Sequence, residues 1–142
     1  MTSVIVTSGQ NFQNTVVYND GQSFTIDEPV SAGGDGIGPD PYTLLLAAVG
    51  GCTSMTVSMY ARRKGWQLER VRVELSQARV YAEDCAVCES KPEAFIHQIS
   101  LSLQIEGDLT GEQRARLLDI ATKCPVKKTL TSGITVKYLE NE

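Results

Sequence analysis

The run Leu44-Leu45-Leu46-Ala47-Ala48-Val49 opens a stretch that contains no proline as far as Lys64. Pro41 suits the first turn of a helix and Gly65 its end, so the sequence predicts one helix over Pro41–Lys64. The first half of that helix has no polar face. A helix that is apolar all round must be covered on several sides, and a chain of 142 residues can hardly supply the cover alone. Met55, Met59 and Tyr60 carry an apolar face onward, and Arg62, Arg63 and Lys64 put cations where the helix dipole favours them. Gly50 and Gly51 sit in the middle. Each costs about 0.5–1 kcal/mol relative to alanine inside a helix, so a partner helix or a substrate is expected to approach the backbone there.

The elements around this helix follow from local pattern. Val4-Ile5-Val6, Thr15–Tyr18 and Ser23–Ile26 read as strands, and Asn19-Asp20-Gly21 between the last two is a hairpin turn. EPVSAGGDGIGPDP, with four glycines and three prolines between Glu28 and Pro41, is a loop, and its spacing matches no phosphate-binding motif. After the helix, LERVRVELS and FIHQISLSLQI alternate apolar and polar residues and read as half-buried strands. Thr110-Gly-Glu-Gln113 is a capping box opening a helix whose stripe Leu117, Ile120, Ala121 ends at Cys124. Pro125 breaks it and starts a short helix to Leu130, and Ile134–Tyr138 reads as a last strand. The order β-β-β-α-β-β-α-α-β, with no repeat and no linker, makes the expected fold an α+β single domain over 1–142.

Composition excludes several classes of function. A hydrophobic share of 42% with 21% charged residues is that of a globular chain. The net charge of −4 argues against nucleic acid, whose phosphates call for a basic face. The longest continuous apolar run falls far short of the roughly 20 residues of a membrane span, and MTSVIVTSG lacks the basic start of a signal peptide. A cytoplasmic location is expected. There thiols are kept reduced, so Cys52, Cys85, Cys88 and Cys124 are expected to be catalytic, metal-binding or buried rather than a disulfide frame.

Cys124 directly precedes Pro125, where it would cap the short helix. The dipole, with Lys127 and Lys128, would there favour thiolate over thiol, although Cys124 also completes the apolar stripe three residues after Ala121. Cys52 reads locally as a small core residue, with the paired glycines as the reason to ask for more. Cys85 and Cys88, in the acidic stretch Asp84–Glu89, could be a redox dithiol or half of a zinc site; four ligands are needed, and no second pair follows at finger spacing. His97, the single histidine, falls on the apolar face of its strand, where a hydrogen-bonded role is expected before metal ligation.

The stretch DEPVSAGGDGIGPDPYTLLLAAVGGCTSMTVSMYARRKGWQLERVRVEL, followed by ATKCPVKKTLTSGITV, resembles the OsmC/Ohr family, named for osmotically inducible protein C and the organic hydroperoxide resistance protein. The likeness covers nearly all of the chain after about residue 24 and rests on Pro-x-x-Leu-Leu, Gly-Cys-Thr and the distant Cys-Pro-Val. It implies an intertwined homodimer, with antiparallel sheets wrapped around long central helices and active sites at the subunit interface. It also implies a thiol-dependent peroxidase in oxidative-stress defence, with Cys52 peroxidatic and Cys124 resolving, that acts on organic hydroperoxides or hydrogen peroxide. Sulfenic acid at Cys52 would condense with Cys124, and a dithiol reductant would reset the pair. No cofactor, metal, nucleic acid or membrane is implied.

The Ohr branch activates its thiolate with an N-terminal arginine and a glutamate ten residues before the cysteine. Here Tyr42 stands at the glutamate position, and the first arginine is Arg62. Tyr42 and Lys127 remain candidate supports for the thiolate. The rival readings are a dithiol oxidoreductase or metal site at Cys85 and Cys88, or a non-enzymatic module binding an apolar ligand.

Overall fold

The structure, a computed structural model, describes residues 2–81 and 95–139. The chain forms two compact units, Met1–Ala47 and Ala48–Glu142.

In the first unit, β1 (Ile5–Ser8), β2 (Asn14–Tyr18) and β3 (Gln22–Ile26) form an antiparallel sheet in that order. The turn between β2 and β3 carries Asn19, Asp20 and Gly21 all at positive φ (42°, 58° and 108°), which these residue types tolerate better than others. The glycine-rich loop that follows is organised by one side chain. Asp27 is buried, and its two carboxylate oxygens accept the backbone N–H groups of Glu28 (2.8 Å), Asp35 (3.1 Å) and Ile37 (3.3 Å). Gly34 and Gly38 let the loop pass directly over the backbone of Glu28 and Thr25, where a β-carbon would not fit. Loop amides that could have cradled a phosphate are thus held by the chain's own carboxylate. At the end of the loop the Asp40 carboxylate accepts the Thr43 N–H at 2.7 Å, closing the N-terminus of α1 (Pro41–Lys64); these bonds hold its pKa below the usual carboxylate value.

In the second unit, β4 (Gln67–Tyr81) and β5 (Phe95–Asp108) form a long antiparallel pair, with Val71 opposite Ile105, Val73 opposite Leu103 and Leu75 opposite Leu101. Residues 82–94 between them, with Cys85 and Cys88, lie outside the described residues. Two helices follow, α2 (Gly111–Ala121) and α3 (Pro125–Ser132). The capping box is formed in full: the Gln113 N–H donates to the Thr110 hydroxyl at 3.1 Å, and the Gln113 side chain accepts the Thr110 N–H at 3.0 Å. Arg114 ties α2 to the end of β5, donating to the carbonyls of Ile105 (2.6 Å) and Gly107 (2.8 Å). The core lies where Val57 and Ala61 of α1 meet Leu117 of α2, with Trp66, Val71 and Ile105 packed around them.

Three expectations are corrected. The helix expected to end at Cys124 stops at Ala121, because residues 122–123 turn the chain before Pro125. The short helix runs two residues past Leu130, to Ser132. The last strand is not formed: residues 133–139 carry no regular structure, with Ile134, Val136 and Tyr138 exposed. A period of two becomes a strand only when its N–H and C=O groups meet a neighbouring strand, and no such pairing is recorded for this segment among the described residues.

The central helix keeps part of the exposure its sequence foretold. Met55 and Met59, one helical turn apart, are each 65% exposed, and Leu44, Leu45 and Leu46 are only half-buried. Among the described residues α1 is the one helix long and apolar enough to cross a membrane, but its Val57–Ala61 face is the core of the second unit.

Candidate active site

Cys52 occupies the middle of α1, half-buried, one residue past the paired glycines. The glycines differ in use. A β-carbon on Gly50 would lie 2.6 Å from Cδ1 of Leu75, so what approaches the backbone there is strand β4 of the same chain; at Gly51 nothing lies within 4 Å.

Cys124 arrives from the other side. It is the residue before Pro125 and the N-cap of α3, and it is also fully buried, so both sequence readings of it describe the same atom. The two thiols face each other within hydrogen-bonding reach, each acting on the ionisation of the other. Both are free thiols.

Their surroundings push them apart. Burial raises the pKa of the Cys52 thiol, and its hydrogen bond to Cys124 raises it further; the Val126 N–H and the Thr56 hydroxyl pull the other way without prevailing. Burial also works against ionisation of Cys124, but there it is outweighed by donors: Cys52, the Lys127 N–H, the Thr53 hydroxyl and the Val126 N–H together lower its pKa. No tight capping bond closes onto the Cys124 thiol, so the α3 amides act on it at longer range, as the positive end of a helix does.

The threonine hydroxyls have one proton each and two acceptors to choose from. Thr53 Oγ1 donates to the Val49 carbonyl at 2.8 Å, and Thr56 Oγ1 to the Cys52 carbonyl at 2.7 Å. With the sulfurs protonated these carbonyls hold the hydroxyl protons, and an ionised sulfur competes for them. The Val49 carbonyl lies 4.0 Å from Cys124 Sγ, the outer limit for a thiol donor.

The other candidates fall as follows. Lys127 contributes its backbone N–H to Cys124, while its ammonium donates to the Thr122 carbonyl at 3.3 Å. Tyr42 stands in the first turn of α1, within the first unit, 55% exposed. His97 Nδ1 is paired with the Gln77 amide at 2.7 Å. Among the described residues no group of three or more histidine, cysteine or acidic side chains is placed to hold a metal. Sequence reasoning missed Thr53, Thr56 and the Val126 amide. Thr56 could have been found, since it lies one helical turn after Cys52; the Val126 amide could not, because only the tertiary fold brings α3 to α1.

Beside the sulfur pair lies a cavity of about 610 Å³, lined by Ile99, Leu101, Leu103, Leu118 and Leu130, with Thr53 and Lys127 at its polar margin. Neither sulfur lines it, and Val49, Thr53 and Lys127 are common to the cavity and the surroundings of Cys124.

Solved structures share this fold. An OsmC-like protein from Mycoplasma pneumoniae superposes with a TM-score of 0.70 at 16% identity, over 92% of this chain and 87% of that one. An organic hydroperoxide resistance protein OsmC from Legionella pneumophila, described as a predicted redox protein, gives 0.61 at 22% identity, over 90% and 87%. The organic hydroperoxide resistance protein OhrB of Bacillus subtilis gives 0.58 at 20%, over 90% and 88%. No curated protein matches the chain. The family model of OsmC-like proteins matches residues 33–139, which include both thiols and every residue acting on them, and the chain therefore belongs to the OsmC-like protein family.

Proposed function

We propose that the protein is a thiol-dependent peroxidase in which Cys52 attacks the peroxide and Cys124 resolves the product. The observation that carries this reading is the facing of two free thiols, one half-exposed and one buried at a helix N-cap. The Cys52 sulfur attacks the distal peroxide oxygen, the O–O bond breaks, and an alcohol leaves. The resulting sulfenic acid condenses with Cys124 to a disulfide and water, and an external dithiol restores both thiols. An apolar cavity beside the pair supports an organic hydroperoxide as substrate.

The working unit on this reading is a homodimer. Met55 and Met59 are exposed on α1 and the space at Gly51 is open, a face that a second copy of the helix would cover. The cavity also favours a second reading, a module that binds an apolar ligand without turning it over.

The test is one equivalent of an organic hydroperoxide added to the reduced protein, with the product mapped by mass spectrometry of its peptides. A Cys52–Cys124 disulfide formed within seconds, and absent in Cys52→Ser, is the expected result. Oxidation confined to Cys85 and Cys88, or none, overturns the peroxidase reading. Peroxide left intact by a protein that retains a labelled fatty acid in both native and Cys52→Ser forms would establish the binding module instead.

A further inference from the structure

The two sulfurs are not equivalent places for a proton. Cys124 has no solvent exposure, caps α3, and has around it the amides of Val126 and Lys127, the Thr53 hydroxyl and the Cys52 thiol. Cys52, half-exposed on the neighbouring helix, has the Val126 amide and the Thr56 hydroxyl. The fixed donors, which do not have to turn away from another acceptor, are backbone amides, and two of them act on Cys124 against one on Cys52. A single negative charge on the pair therefore rests on Cys124, with the remaining proton on Cys52 directed at it.

Resting on the peroxidase reading, we infer that Cys124 is the general base of the first step as well as the nucleophile of the second. Cys124 takes the Cys52 S–H proton as the Cys52 sulfur bonds to the distal oxygen of the hydroperoxide. The O–O bond breaks, its electron pair leaves on the alkoxide, and the proton held by Cys124 passes to that alkoxide to give the alcohol. Cys124 is thereby a thiolate again. It attacks the Cys52 sulfenic acid, the disulfide forms, and hydroxide leaves. The dithiol monoanion and one hydroperoxide become a disulfide, an alcohol and hydroxide, with charge and protons balanced.

The charged and titratable side chains of the thiols' own and neighbouring elements are engaged elsewhere, which leaves this role to Cys124. From α1 come Cys52 itself and the two threonine hydroxyls; from α3 comes Lys127, whose ammonium is held by the Thr122 carbonyl. On α2, Asp119 is paired with Arg116 and Lys123. On β5, His97 lines the adjoining cavity and is held by Gln77.

The test is the rate at which an uncharged haloacetamide alkylates Cys52, resolved by peptide mass spectrometry against pH, in native protein and in Cys124→Ser. If Cys124 is the base, alkylation of Cys52 in native protein follows the ionisation of Cys124, and the substitution leaves Cys52 to react only through its own ionisation, which burial holds high: the rate at neutral pH falls by about tenfold or more and the inflection moves upward from the Cys124 value, as a change of one pKa unit requires. An unchanged rate and inflection overturn the role and leave Cys124 as a resolver only. Should Cys124→Ser fail to fold, thiolate absorbance of Cys52→Ala serves instead: loss of the Cys52 donor must move the Cys124 titration upward, and an unmoved titration overturns the coupling. Because alkylation needs no peroxide, the two readings fail separately. Coupled alkylation in a protein inert to hydroperoxide leaves the proton transfer standing and sinks the peroxidase; peroxide turnover with uncoupled alkylation sinks the base.

Discussion

Gly50 and Leu75 pass each other so closely that a β-carbon on the glycine would lie 2.6 Å from the leucine Cδ1. This contact seats the sulfur-bearing turn of α1 on the β4–β5 sheet. Alanine at this site would gain about 0.5–1 kcal/mol of helix propensity but overpack the contact at about 1–3 kcal/mol, so Gly50→Ala is expected to destabilise by about 1 kcal/mol in urea unfolding. In a double-mutant cycle with Leu75→Ala the losses should be less than additive, by about 0.5 kcal/mol or more. Additive losses would show that Leu75 turns aside freely and that α1 is seated by something else.

Asp27 organises the glycine-rich loop with both oxygens of one buried carboxylate. Asparagine keeps the shape but replaces one accepting oxygen with an N–H₂ group that faces other N–H donors. Asp27→Asn should cost about 2–3 kcal/mol, since bonds to a charged acceptor are among the stronger ones. Faster amide hydrogen exchange at Asp35 and Ile37 would accompany that loss. Unaltered exchange at both would mean that the glycines hold the loop without the carboxylate.

What could be read from sequence and what could not divides along physical lines. Alternation made β4 and β5 visible, and Thr110-Gly-Glu-Gln113 announced the start of α2, because each depends on neighbours in the chain. The same reasoning placed Cys124 at the start of α3. It failed for Ile134–Tyr138, whose alternation is as regular, because a strand also requires a partner edge that local pattern does not specify. Asp27 escaped notice because a carboxylate in a loop is usually solvated, and its burial follows only from the loop closing over it. At the site, both sulfurs were identifiable from their motifs, but their facing and the α3 amides near them arise from long-range packing.

Thr56 offers a direct probe of Cys52. Its hydroxyl now donates to the Cys52 carbonyl at 2.7 Å and is the side-chain hydroxyl available to the Cys52 sulfur when it ionises. Thr56→Val removes that donor at nearly constant volume. The Cys52 pKa should rise further, and alkylation of Cys52 at neutral pH should fall about threefold to tenfold, the effect of half to one pKa unit. Thr56→Ser should keep the native rate, and stability should change by no more than about 1 kcal/mol. A native rate in Thr56→Val would leave the α3 amide as the donor that matters.

The opposed shifts of the two thiols also make a prediction about stability and pH. An unfolded thiol titrates near its ordinary pKa of about 8.5. Folded Cys124 releases its proton below that value, held there by hydrogen bonds that outweigh its burial. As pH rises from the folded Cys124 value toward about 8.5, the unfolded chain holds the extra proton, so stability rises. Folded Cys52 keeps its proton above that value, through burial and its bond to Cys124. Above about 8.5 the folded state is the one that holds the extra proton, and stability falls as pH climbs toward the folded Cys52 value. Urea unfolding of the reduced native protein, referenced at each pH to the Cys52→Ser/Cys124→Ser double variant, should therefore pass through a maximum near the ordinary thiol pKa. A difference that declines steadily through the whole range would mean that neither thiol is held ionised in the folded state, and that the α3 amides do not reach Cys124 strongly enough to overcome its burial.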